Sequence, residues 1–288
     1  LSQATAWLRA IRPATLGVGA APVLVGAACA RALGGFRVGP ALAALTGALL
    51  LQIGCNLAND LYDFQKGADG PDRLGPPRAL ASGLLTAHHI QSGLLVSFGA
   101  ALLCGIYLTT VAGPAIVVVG LLSIAAAIGY TGGPFPLGYH GLGDLVVLVF
   151  FGFVAVCGTA FVELGRVPAL AVWASVPVGA LATAVLVVNN LRDRATDARA
   201  GKRTLAVRLG RRGSIVEYAL LVGVAYVVPL ALAPARPLTL LVLATAPLAL
   251  GLIRAVAGAD GRALNPLLGA TARLTLLHSA LFALGLGA

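Results

Sequence analysis

Along the chain, apolar residues gather into long runs and polar residues into the short breaks between them. Runs long enough to cross a bilayer, about twenty residues as helix, fall at 14–34, 39–61, 89–111, 113–130, 143–162, 168–190, 214–234, 237–257 and 267–287. The pattern predicts nine transmembrane helices. The third and fourth are divided only by the turn "AGP" (Ala112 to Pro114), the weakest break in the pattern. The run after Arg12 is too long for the apolar segment of a cleavable signal peptide. The 288 residues contain no methionine, so a processed or trimmed product lacking some N-terminal residues is expected.

Composition supports the membrane reading. Hydrophobic residues make up 59% of the chain and charged ones 10%, with a mean hydropathy of +0.94. A soluble domain carries about 25% charged residues, and this chain has too few to cover a wet surface. The expected fold is therefore all-α: one polytopic membrane domain over residues 1–288, bundled around a central cavity that opens to the cytoplasmic face. The 37 glycines suit close helix packing in lipid. Cys29, Cys55, Cys104 and Cys157 are far apart in apolar runs without a C-x-x-C, and read as packing residues.

Charge sets the orientation. With nine helices, the N-terminus and the loops after helices 2, 4, 6 and 8 share one face, and sixteen of the twenty Lys and Arg lie there. Excess Lys and Arg mark the cytoplasmic side, so that face is expected inward; a prokaryotic plasma membrane is the expected location. The net charge of +10 thus has a membrane explanation. No nucleic-acid partner is expected, because no basic stripe interleaved with stacking aromatics lies on a polar surface.

The acidic residues need a different explanation, since carboxylates contribute little to orientation. Nearly all of them sit on the same basic face, at helix ends. Two stretches stand out: "NDLYDFQKGAD" from Asn59, and "NNLRDRATDARAGKRTLA" from Asn189. Both begin Asn-x-Leu-x-Asp, and "RALA" at Arg78 echoes "RTLA" at Arg203. Asn189, Asp193 and Asp197 recur at i, i+4 and i+8, so on a helix they share one face with Cβ atoms roughly 5–6 Å apart. One such pair beside arginines is ordinarily a solvated helix end, but its duplication with matching basic loops points to metal. Hard oxygen donors favour Mg²⁺ bridging to phosphate. Lys66, Arg78, Lys202 and Arg203 suit phosphate oxygens. No G-x-x-x-x-G-K-[ST] loop is present, so this is not a P-loop nucleotide site. A diphosphate site opening into an apolar chamber implies a lipid diphosphate, whose allylic cation needs shelter from water.

These stretches resemble the UbiA-type membrane prenyltransferases, which carry two Asp-rich motifs after the second and sixth of nine helices. The resemblance runs over nearly the whole chain. It is carried by "RPATL" from Arg12, "NLANDLYDFQKGAD" from Asn56, "YTGGPFPLGYHGLGD" from Tyr130 and "NNLRDRATDARAGKRTLAVRLG" from Asn189. These match best the branch acting on 1,4-dihydroxy-2-naphthoate in menaquinone synthesis. The resemblance implies Mg²⁺-dependent transfer of a polyprenyl group from polyprenyl diphosphate to that acid, with loss of CO₂, giving demethylmenaquinone and diphosphate. It further implies that Asn59, Asp63, Asp69, Asn189, Asp193 and Asp197 hold metal, that Asp63 and Asp193 are catalytic, and that Lys66, Arg78, Lys202 and Arg203 contact diphosphate. One departure is notable. The usual first motif is N-x-x-x-D-x-x-x-D, but the third position here is Gly67, and the next acid is Asp69.

In the Tyr130–Asp144 loop, Tyr130 could stabilise a cation or orient the acceptor, and His140 could take a proton. Both also read as polar loop residues at a membrane surface. Two rival functions stay open at this point. One is a different aromatic acceptor, 4-hydroxybenzoate or homogentisate; the other is a cation-coupled transporter, although transporter sites lie near the midplane on broken helices.

Overall fold

A computed structural model of the chain describes residues 2–68, 70 and 73–288. The described residues are helical, with no strand among them. A short amphipathic helix, α1 (Gln3–Ile11), precedes the spans, where the hydropathy pattern predicts no element. The spans then follow as α2 (Pro13–Ala32), α3 (Val38–Gln65), α4 (Ala87–Ala112), α5 (Ala115–Gly129), α6 (Gly143–Leu164), α7 (Ala169–Arg199), α8 (Leu205–Leu232), α9 (Pro237–Gly258) and α10 (Gly261–Gly287). Eight of these are long and apolar enough to cross a membrane. The expected fourth span, α5, is a shorter apolar helix of 15 residues. The "AGP" turn does divide α4 from α5: Gly113 takes φ +88 there, a conformation open to glycine and strained for most L residues.

Two helices run further than hydropathy indicated, and both carry an acidic motif. Helix α3 continues to Gln65 and α7 to Arg199. Leu61 and Gln65 at the end of α3, and Leu191, Arg192, Arg194, Ala195, Ala198 and Arg199 at the end of α7, are good helix formers, so the helix outlasts the apolar run. Asn59 and Asp63 therefore sit on the last turns of α3, and Asn189, Asp193 and Asp197 on the last three turns of α7.

Helix α7 is the central strut, the most buried span in the molecule. It packs against α2, α6, α8 and α10. Close backbone approach makes this possible. An added Cβ on Gly179 of α7 would fall 2.8 Å from the Leu148 carbonyl of α6, and one on Gly152 of α6 would fall 3.0 Å from the Gly179 Cα. Small residues let helices approach in lipid, where packing replaces hydrophobic drive. Helix α6 carries a π-helical segment at Leu148–Val154 over this contact, a widening found often at functional sites. At the membrane face away from the acidic motifs, Glu163 closes the bundle. The Arg37 backbone N–H donates to its Oε2 (2.6 Å), and the Arg37 guanidinium donates to the Val162 carbonyl.

The glycine contacts predict a stability cost. A Cβ at Gly26 of α2 would lie 2.5 Å from the Val156 carbonyl and 2.7 Å from Thr159 Cβ of α6. Gly26→Ala should lower the melting temperature of the detergent-purified protein, through overpacking worth about 1–3 kcal/mol. An unchanged melting temperature would show that α2 and α6 do not pack through this glycine.

Candidate active site

A cavity of about 400 Å³ lies between α2, α3, α4, α5, α6 and α7. Most of its wall is apolar, with Leu51, Leu108, Val119, Phe150, Phe151 and Val185 among the lining residues. One end is different. There the ends of α3 and α7, the start of the loop after α5 and the loops after both motifs bring in Asn59, Asp63, Arg78, Tyr130, Tyr139, Asn189, Asp193, Asp197 and Lys202. Both acidic motifs thus line one chamber, as their duplication implied.

Asp63 is the centre of this polar end. Its side chain is buried, and three donors converge on it. Tyr139 Oη and Lys202 Nζ donate to Oδ1 at 2.8 and 2.9 Å, and Arg78 Nη2 donates to Oδ2 at 3.2 Å. Arg78 comes from the loop after the first motif and Lys202 from the loop after the second. The same Lys202 ammonium stands 3.8 Å from Asp197 Oδ1, so one cation reaches carboxylates of both motifs. On the facing wall Asp193 is held by its neighbour on α7, Arg192, whose Nε donates to Oδ1 at 2.9 Å and whose Nη2 also contacts Oδ2. Arg192 Nη2 further donates to Asn189 Oδ1 at 2.9 Å. Asn59 Oδ1 accepts from Thr131 Oγ1 at 2.9 Å.

The two motifs are tied together by the loops around them. Arg192 Nη1 donates to Asn265 Oδ1 on α10, and Asn265 Nδ2 donates to the Leu74 carbonyl in the loop after α3. Gly75 lies directly over the Arg192 guanidinium, and a Cβ there would fall 2.8 Å from its Cζ. On the other side, the Arg203 backbone N–H donates to the Tyr139 carbonyl at 2.8 Å, which sets the loop after α7 against the loop after α5.

The remaining predicted site residues divide. Tyr130 lines the cavity, with Gly138 and Gly143 pressed against its ring and hydroxyl. Burial, reinforced by Asp144, pushes its phenol well above the ordinary range, so it stays protonated. Lys66 is exposed, donates to the Thr131 carbonyl at 2.7 Å, and stands 4.7 Å from the Tyr139 ring centroid. The Arg203 side chain is exposed and is not part of the cavity wall. His140 stacks on Phe135 at 3.8 Å, with Nδ1 2.9 Å from the Pro136 carbonyl, and is also outside the wall. Asp69 lies outside the described residues.

Sequence reasoning passed over Arg12, Arg73, Arg192 and Tyr139. Arg12 and Arg73 line the cavity, Arg192 pairs with Asp193, and Tyr139 bonds Asp63. Tyr139 lay within a quoted motif. Arg12 and Arg192 also lay within quoted motifs, but were counted there only for their charge or resemblance.

The donor set fits a divalent metal of the hard class. Among the described residues, no three carboxylate, imidazole or thiol groups gather to hold one ion. What the chamber offers is carboxylate and amide oxygens on facing walls, with one ammonium already spanning them. Mg²⁺ keeps waters and takes one or two carboxylates plus substrate phosphates, and this arrangement is of that kind.

Comparison with known proteins agrees with the geometry. Residues 20–277 match the model of the UbiA prenyltransferase family. The chain is 43% identical over 265 residues to the 1,4-dihydroxy-2-naphthoate octaprenyltransferase of Mycobacterium tuberculosis, covering 91% of this chain and 90% of that one. It is 38% identical to the protein of the same name from Haemophilus influenzae, covering 97% and 95%. In fold it is similar to a UbiA homologue from Aeropyrum pernix, with a TM-score of 0.68 at 17% identity over 92% of this chain and 96% of that one. A UbiA homologue from Archaeoglobus fulgidus bound to GPP and Mg²⁺ gives a TM-score of 0.64 at 14% identity, over 96% and 99%. An all-helical membrane chain with paired acidic motifs on one cavity, matched by this family over most of its length, belongs to the UbiA prenyltransferase family.

Proposed function

We propose that the protein transfers a polyprenyl group from polyprenyl diphosphate to 1,4-dihydroxy-2-naphthoate, with loss of CO₂, at the cytoplasmic face of a prokaryotic plasma membrane. The observation that carries the reading is the cluster around Asp63, where groups from both motifs meet at the mouth of an apolar cavity. The names of relatives 38–43% identical over most of the chain support the acceptor.

In this reading Asn59, Asp63, Asn189, Asp193 and Asp197 hold Mg²⁺, with Asp69 as a further ligand. When bound, Mg²⁺ neutralises the charge that builds on the departing diphosphate. Lys202 and Arg78 turn from Asp63 to the phosphate oxygens and oppose the same charge, an interaction strongest in the transition state. The apolar wall keeps water from the allylic carbon. The Tyr130 ring, held by Gly138 and Gly143, presents its face to the cation. The bond between the allylic carbon and the diphosphate oxygen breaks, with its electron pair leaving on diphosphate. The ring carbon bearing the carboxylate then bonds to the allylic carbon. The pair from the ring–carboxylate bond returns to the ring as CO₂ departs. No ring C–H proton has to be removed, so the position of His140 outside the cavity wall is consistent with this route. Lys66, with its ammonium beside the Tyr139 ring, meets a diphosphate as it enters, whereas Arg203, outside the wall, takes no part.

Purified protein given Mg²⁺, 1,4-dihydroxy-2-naphthoate and prenyl diphosphates of several lengths should yield, by mass spectrometry, a prenylated naphthalenediol without the carboxyl group. A prenylated product that keeps the carboxyl, or turnover only with 4-hydroxybenzoate, would overturn the assignment. Asp63→Ala and Asp193→Ala should each lower kcat by about 10²–10³-fold while leaving the protein folded; near-normal turnover with Mg²⁺ in either variant would remove that residue from the site.

Lys202 gives a sharper test. Lys202→Ala should lower kcat by about 10²-fold, and Lys202→Arg should restore only part of it, because a planar fork does not replace a point charge. Steady-state kinetics in detergent and in anionic liposomes would show wild-type kcat in both if the lysine serves only lipid headgroups.

A further inference from the structure

The cavity runs far from its polar end. Every turn of α3 from Asp63 back to Ala44 contributes to its wall, as does every turn of α5 from Tyr130 to Ile116 and of α6 from Val146 to Val162. Asp63 and Ala44 are 19 residues apart, which along a helix is roughly 28 Å. Polar groups thin out with depth. The deepest amide on the α3 wall is Gln52. Beyond it, the wall hydroxyls of Ser123 on α5 and Thr159 on α6 each donate to a carbonyl of their own helix, Val119 at 2.8 Å and Ala155 at 2.7 Å. The deep part of the wall therefore asks for no hydrogen bond from a ligand and suits hydrocarbon.

At the far end the wall closes over Leu108 of α4, Ile116 of α5 and Val162 of α6, which are buried together. Val162 is fixed from the other side, where its carbonyl accepts from the Arg37 guanidinium. One turn short of this floor, the same three helices carry Gly105, Gly120 and Gly158. All three line the cavity, and an added Cβ on any of them would meet no neighbouring atom within 4 Å. They differ in this from Gly26, Gly152 and Gly179, whose missing side chains let helices touch. Glycine is a poor helix former, and what it leaves at these three positions is open cavity.

We propose that this glycine tier and the floor beyond it select the prenyl diphosphate by chain length. The inference rests on the prenyl-transfer reading above and adds how much of the chain the bundle covers. With the diphosphate on the acidic helix ends, the chain has the apolar depth to run down. A five-carbon prenyl unit has four bonds along the chain and extends roughly 4–5 Å, scaled from the three bonds of a peptide unit. After space for the diphosphate itself, the depth takes about five units. The glycine tier lies level with about the fourth unit and gives it room between three helices. The next unit rests against Leu108, Ile116 and Val162. Up to that length, each unit buries further apolar surface and strengthens binding. Units beyond it find no wall to cover them and add nothing.

The test is the dependence of kcat/KM on chain length, read on the full chain with Mg²⁺, saturating 1,4-dihydroxy-2-naphthoate and prenyl diphosphates of two to eight units. In wild type it should rise with each unit up to about five and then level off. Gly158→Phe and Gly120→Phe each put a ring into the tier, where an added side chain meets no neighbouring helix. Each should lower the ratio of kcat/KM for five units to that for two units by at least about tenfold. Leu108→Ala combined with Ile116→Ala deepens the floor and should move the break about one unit later. The ratio is taken within one preparation, so partial loss of folded protein cancels from it. An unbroken rise to eight units in wild type, or an unchanged ratio in both glycine variants, would overturn the length selection alone. Wild-type protein inactive with every length would overturn the prenyl-transfer reading on which it rests.

Discussion

A carboxylate at the end of a membrane-spanning helix is tolerable only with compensating charge close by. Asp63 meets that condition with groups from outside its own helix. Lys202 follows the second motif, Tyr139 belongs to the loop after α5, and Arg78 follows the first motif. The carboxylate therefore fixes three loops relative to one another as well as to α3. Asp193 does the same on the other wall through Arg192, which continues to Asn265 and the loop under Gly75. Removing one partner of a buried pair leaves the other charge uncompensated, typically at 3–5 kcal/mol. This explains how irregular loops hold their shape at a membrane surface. The same interaction has a functional side. In the proposed reading, cations resting on carboxylates in the absence of substrate are in place for phosphate once a divalent ion takes over the carboxylates.

The rest of the bundle serves to bring these helix ends into register. Helix α7 is nearly encased, and its close approach to α6 depends on Gly152 and Gly179 having no side chains. The π-helical segment of α6 lies on the same contact and places Phe150 and Phe151 on the cavity wall. Helices α8, α9 and α10 pack behind α7 and its neighbours, with Tyr218 bonded to Thr271 and Tyr226 to Thr245 within that layer. His278 is buried there edge-on to Tyr226, consistent with a packing role.

Much of this was legible in the sequence, and the limits were physical. Hydropathy reports the length of apolar runs, so it found the spans but stopped α3 and α7 before their charged turns, which are helical all the same. It gave α5 full span length although the helix has 15 residues. It also missed α1, whose short amphipathic turn carries too few apolar residues to register. The duplication of Asn-x-Leu-x-Asp was legible as a repeated pattern, and the structure brings both copies to one cavity. Arg203 and His140 show the opposite limit. Their residue types suited the chemistry, but side-chain placement within a loop is decided by tertiary contacts, and neither residue lines the wall. Arg12 was hidden because its place in the cavity depends on a left-handed turn that no local propensity announces.

The central claim is that both acidic motifs serve one metal–diphosphate site, with Lys202 passing from carboxylate to phosphate. The direct measurement is a structure of the full chain with Mg²⁺ and a non-ionising prenyl thiolodiphosphate. The account predicts metal density between Asp63 on one wall and Asp193 and Asp197 on the other, with the Lys202 ammonium on a phosphate oxygen and away from Asp63. Diphosphate bound elsewhere in the cavity, or Lys202 still on Asp63 with substrate present, would contradict it.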